Sequence, residues 1–228
     1  MWPLIQLVIT LTAWQIGIAL VRFGIGPCYY VEMKLYIPTE SRIYNDLDPT
    51  SDTIILLETA SVHDMPHTVH HFLEQVAHEL FDGTTVFQNA DHVLLAGPGP
   101  DKQARDKFRH HPSLNSILFQ EYSPNMPHVP YTLGYSGRPG GPDFYINMED
   151  NTEYHGPGGQ QHYEHDLLIA DADPCFAKIV QGHALVDRLA TADVGPDGSE
   201  IQPIVIERMR IVSDKEKVVD EAATTATI

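Results

Sequence analysis

Basic side chains are scarce in this sequence: 14 Lys and Arg stand against 31 Asp and Glu, a formal net charge of −17. No Lys/Arg-rich run occurs anywhere, which excludes a nucleic-acid partner, because phosphate backbones reward clustered cations. Cysteine is nearly absent too. Cys28 and Cys175 are too few for a disulfide framework, and neither lies in a CxxC metal spacing. They read as two structural thiols, with a single bridge between them as the alternative. An HExxH site is also missing: His67 and His71 are four apart, but no carboxylate stands where a zinc-protease helix needs one. No metal and no cofactor are expected. The 13 histidines read as solvated helix and loop groups that make the surface charge sensitive to mildly acid pH.

Charge is missing altogether from residues 2–21, WPLIQLVITLTAWQIGIALV. At about 1.5 Å per residue this run matches the hydrocarbon thickness of a bilayer. A cleaved signal peptide is a rival, but the run exceeds the usual apolar length of about 7–15 residues and has neither a basic start nor an A-x-A site. A buried core helix is a third reading, weakened by the lack of polar periodicity. The favoured expectation is a membrane-anchor helix over 1–22 and a linker over 23–28. A domain over 29–212 and a flexible tail over 213–228 follow. The domain would then be held by a single span, in the secretory-pathway lumen or another organelle. Arg22 alone is too little to orient it.

Beyond the anchor, a content of 43% apolar residues supports a packed core. YYVEMKLYI (29–37) alternates, with Val31, Met33, Leu35 and Ile37 on one face, the pattern of a strand with one buried side. TIILLETA (53–60), HVLLAG (92–97), YTLGYSG (131–137), DFYINM (143–148), CFAKIV (175–180) and IQPIVIERMRIV (201–212) read as further strands. MPHTVHHFLEQVAHELFDG reads as a helix: Pro66 suits its first turn, and Val69, Phe72, Leu73, Val76 and Leu80 recur at helical spacing. HALVDRLAT (183–191) is a second, shorter helix. Residues 101–128 are polar and irregular. Gly137-Arg138-Pro139-Gly140-Gly141-Pro142 must be a loop, and it runs straight into Phe144-Tyr145-Ile146, the composition of a buried strand. Many short strands with two separated helices suggest a closed β-barrel with helical caps.

Three ordered motifs and the closing strand carry a resemblance. MPHTVHHFLEQVAHELFDGTT resembles the first helix and Asp-Gly-Thr-Thr turn of cyclophilins. GGPDFYINMEDN resembles the Gly-Ser-Gln-Phe-Phe-Ile strand of their proline pocket. CFAKIVQGHALVDRLA is similar to their Phe-Gly-Lys-Val strand, glycine turn and second helix, and IQPIVIERMRIV to the closing strand. The resemblance covers 29–212. It implies a mainly β fold, a closed antiparallel eight-stranded barrel capped by two helices, and peptidyl-prolyl cis–trans isomerase activity on proline-containing peptide or protein segments. Such a catalyst seats the proline ring in an apolar hollow and stabilises the twisted amide electrostatically, in this family with an arginine.

The departures from the family pattern concern that chemistry. The resemblance places Gln88 at the catalytic arginine, Val93, Leu94 and Ala96 at the next pocket strand, and Asp143, Phe144 and Tyr145 at the strand with the pocket aromatic. Tyr154 or His155 falls near the family's tryptophan, and Asp173 near its histidine. Arg138 reads either as a relocated cation or as an arginine pinning its own loop, and Tyr145 either as a groove wall or as core. The expected function is therefore a weak isomerase, with Gln88 and Arg138 as the candidate catalytic pair. The alternative is a non-catalytic module that binds a proline-containing segment or serves as a subunit of a membrane assembly.

Overall fold

The computed structural model of the chain describes residues 27–44, 53–159, 172–192, 194–195 and 199–212. The anchor helix expected over residues 1–22 lies outside them, and so does the tail after 212. Among the described residues no helix is long and apolar enough to cross a membrane. The described residues form eight strands: β1 Tyr30–Tyr36, β2 Ile54–Thr59, β3 Thr85–Asn89, β4 Val93–Gly97, β5 Thr132–Tyr135, β6 Phe144–Asn147, β7 Cys175–Gln181 and β8 Ser199–Val212. They close into an antiparallel barrel in the order β1-β2-β7-β5-β6-β4-β3-β8, which leaves no free sheet edge. The helices are α1 Pro66–Ala77, α2 Lys102–Arg109, α3 Pro112–Asn115, α4 Thr152–His155 and α5 His183–Leu189.

Period-2 patterning explains the barrel wall. Val31, Met33 and Leu35 of β1 are 0%, 0% and 1% exposed, whereas Glu32 and Lys34 between them pair outside with Arg210 and Glu207. Helix α1 buries Val69, Phe72, Leu73 and Val76, and the Phe72 ring lies 4.7 Å from that of Phe176 on β7. Deleting a core ring of this kind costs about 3–5 kcal/mol. The first turn of α1 is capped from far along the chain: Glu121 accepts from the His67 amide at 3.1 Å and the Thr68 amide at 2.6 Å. Cys28 and Cys175 are not joined in a disulfide, and burial pushes the Cys175 thiol up to about 12, too high for a thiolate nucleophile at neutral pH.

Three local features differ from the sequence expectation. Strand β3 adds an eighth strand that the hydrophobic pattern alone does not mark. The polar stretch after Asp101 contains α2, whose N-terminus is capped by Asp101 accepting from the Gln103 and Ala104 amides. Only Ala104 and Phe108 of α2 are buried, so no apolar stripe announces it. The histidines are not all solvated: His67, His71 and His128 are 3%, 3% and 0% exposed. His71 is held inside a polar network, where Gln75 Nε2 donates to His71 Nε2 at 3.1 Å and to the Leu114 carbonyl at 2.7 Å. The Tyr135 hydroxyl donates to Gln75 Oε1.

Candidate functional site

A single row of side chains crosses the outside of the barrel. Gln88 pairs with Leu95, Leu95 with Tyr145, and Tyr145 with Gly134. Residues directly opposite one another share a face of the sheet. The alternate residues Leu94, Ala96, Phe144 and Ile146 are fully buried in the core, so the row through Gln88, Leu95 and Tyr145 faces outward. A β-bulge aims Gln88. Val86 pairs with Ala96 and Gln88 with Leu95, so two residues of β3 oppose one of β4. Without the extra residue Gln88 would point into the core. The Phe87 ring spared by the bulge lies on Gly99, where an added Cβ would stand 2.7 Å from it.

The same alternation corrects the expected pocket. Leu94, Ala96 and Phe144 line the barrel interior and do not share a concavity with Tyr145. Consecutive motif residues cannot form one contiguous patch, because a strand sends every second side chain to the other side. Val93 does face outward, opposite Asn147, yet it is only 5% exposed. That end of the face is covered by the segment carrying Asn151, whose Nδ2 donates to Asn147 Oδ1 at 2.9 Å. Tyr154 points to solvent, 57% exposed.

Tyr145 is the centre of a buried polar cluster. Its ring lies across Gly134, where a Cβ would stand 2.5 Å from Tyr145 Cζ, so only glycine fits there. Its hydroxyl is 3.3 Å from Asp173 Oδ2 and 3.3 Å from His128 Nδ1. Asp173, with its side chain 3% exposed, also accepts from His155 Nδ1 at 2.7 Å and from Arg138 Nε at 3.4 Å. His128 Nε2 donates to the Asp173 carbonyl at 3.0 Å. Burial, and then the Asp173 charge, holds the Tyr145 hydroxyl well above its ordinary value. Burial, and then His155, pushes His128 down to about 4. Arg138 therefore reaches this cluster as half of an ion pair. His155 rather than Tyr154 lies against Tyr145, ring centroids 4.7 Å apart, and covers part of the aromatic surface.

One rung along the same face, Asp143 holds a second arginine. Arg105 on α2 donates from Nη2 to Asp143 Oδ2 and from Nε to the Gly99 carbonyl. Asp143 Oδ1 accepts from the Gly99 amide at 2.8 Å. Sequence reasoning missed Arg105, Leu95, His128 and Gly134. The only signals for any of them were the places of Leu95 in the VLLAG strand and of Gly134 in the YTLGYSG strand.

The model of the cyclophilin-type peptidyl-prolyl cis-trans isomerase/CLD family matches residues 59–211, more than half of the chain. Among solved structures, a cyclophilin-type peptidyl-prolyl cis-trans isomerase of Cryptosporidium parvum is similar, with a TM-score of 0.57 and 12% identity over 82% of this chain and 99% of that one. The same protein in the presence of the dipeptide Ala-Pro gives 0.56 and 13%, over 81% and 99%. At such identity the structural likeness is one of fold. No curated protein matches the chain by sequence.

Proposed function

Because this chain belongs to the cyclophilin-type peptidyl-prolyl cis-trans isomerase family, we propose that it binds proline-containing segments on the outer face of β3, β4 and β6 and isomerises their X–Pro bonds slowly. The observation that carries this reading is the row Gln88, Leu95 and Tyr145 on one face. It combines a hydrogen-bond donor, an aliphatic floor and an aromatic wall. Rotation about X–Pro must overcome ~18–20 kcal/mol, and Gln88 offers a neutral amide where a cation would stabilise the twisted bond. One missing preorganised donor costs on the order of 10²–10³ in rate. In a nuclear magnetic resonance exchange experiment on an Ala-Pro peptide, the purified chain should shift peptide resonances and speed cis–trans exchange well below the rate of an arginine-bearing family member. The absence of both binding and exchange would refute the reading.

A second reading has its own support. His155 covers Tyr145 and the Tyr145 hydroxyl is engaged by Asp173, so the face also suits a module that binds without turnover. Binding with no exchange is the outcome that selects it.

The charge-free run 2–21 supports a further part of the proposal, a single-pass anchor that places the domain in the secretory-pathway lumen or another organelle. On that reading the full chain stays in the membrane pellet after alkaline carbonate extraction, and its domain resists protease added to sealed vesicles. Release into the supernatant would overturn the anchor.

A further inference from the structure

We propose that Arg105 is the catalytic cation of this domain, an inference that rests on the isomerase reading above. Asp143 immediately precedes β6 and continues its ladder: the Ser136 amide donates to the Asp143 carbonyl at 2.9 Å. A Cβ added to Gly97, across the sheet, would stand 3.0 Å from Asp143 Oδ1. The Asp143 carboxylate therefore leaves the strand on the outer face, as Tyr145 does two residues later. Two strand residues span about 7 Å, the reach of one X–Pro dipeptide.

The mounting is rigid. Helix α2 is capped by Asp101 at its N-terminus and pinned by buried Ala104 and Phe108. Arg105 is clamped between Asp143 Oδ2 and the Gly99 carbonyl. Held in this clamp, the Arg105 side chain is still 35% exposed. An arginine has five N–H donors in a planar fork, and only two are engaged among the described residues. The others are free to donate to the carbonyl oxygen and the nitrogen of an X–Pro amide as it twists and its nitrogen regains a lone pair. Gln88 lies on the same face, two strands away, and bears no charge for this task. No bond is made or broken, so a preorganised cation is all the chemistry that rotation requires.

The test uses the purified full chain and an Ala-Pro peptide, with binding and exchange read separately by nuclear magnetic resonance. Arg105→Gln should lower the exchange rate at saturating peptide by about 10²-fold and weaken binding only a fewfold. Arg105→Lys keeps the charge without the fork, and should retain an intermediate rate. A circular dichroism spectrum and melting curve establish that each variant is folded, and should Arg105→Gln unfold, Arg105→Lys carries the comparison. A folded Arg105→Gln with unchanged exchange overturns the assignment and leaves the isomerase reading standing. Peptide binding without exchange in the unmodified protein also overturns it, and selects the binding-only reading. Failure to bind the peptide at all removes both.

Discussion

Gln88→Arg should raise the isomerisation rate of this protein by about ten- to a hundredfold while leaving peptide affinity within a fewfold of the original. The bulge at Phe87 already turns residue 88 onto the outer face, opposite Leu95 and in line with Tyr145. A longer cationic side chain there needs no backbone change, and Gln88 itself is only half-buried. The gain is set below the full 10²–10³ of a preorganised donor because a grafted arginine lacks neighbours chosen to hold it. The result discriminates between the two functional readings. A rise in exchange means the face is open to an X–Pro bond and that added charge at position 88 stabilises the twisted amide. A folded variant that binds the peptide and shows no exchange at all means that His155, packed on Tyr145, keeps the proline ring out, and the domain binds without turning over.

Most of the barrel is legible in the sequence because its residues obey simple periodicities. The alternation of Val31, Met33 and Leu35 and the spacing of Val69, Phe72, Leu73 and Val76 are consequences of one buried face each. Strand β3 escaped that logic, since it is five residues long and a bulge interrupts its phase. Helix α2 escaped it because it buries two residues only. At the site, the resemblance located Gln88, Asp143 and Tyr145, which stand on the outer face. It misjudged Leu94, Ala96 and Phe144, because motif letters do not record which side of the pleat a residue leaves from. Asp173, Arg138 and His155 come from three separate segments and meet only in the folded chain. Arg105 sits in a polar stretch whose helix has no apolar stripe to announce it. The histidines failed for a related reason: a buried imidazole is identified by its partners, and those partners are distant in sequence.

Those partners lead to the second large effect, a steep loss of stability in mild acid. His67 Nε2 accepts from the Leu118 amide at 2.9 Å, and an amide can only donate, so this nitrogen must be unprotonated. His71 Nε2 likewise accepts from Gln75, whose orientation is fixed because its Oε1 takes the Tyr135 hydroxyl and its Nε2 serves the Leu114 carbonyl. Burial, with smaller repulsions from neighbouring histidines, pushes His67 to about 4, His71 to about 3 and His128 to about 4. Each folded value lies below the ordinary 6.5. Between the two values the unfolded chain binds more protons than the folded one, so stability is complete above pH 6.5 and is lost as the pH falls toward the folded values. Glu121 and Asp82 act in the opposite sense, since burial raises the pKa of each, but they are two groups against three. At on the order of 3 kcal/mol per imidazole, the combined loss rivals the 5–15 kcal/mol that roughly bounds an ordinary domain. Urea unfolding at a series of pH values should therefore give a stability that changes little from pH 8 to 7. It should then fall with a slope approaching three protons near pH 5, about 4 kcal/mol per pH unit, and leave the domain unfolded by about pH 4. A slope below one proton across that range would mean that these imidazoles titrate in the folded state as solvated groups do, and that the network through Gln75 and Tyr135 does not hold His71 neutral.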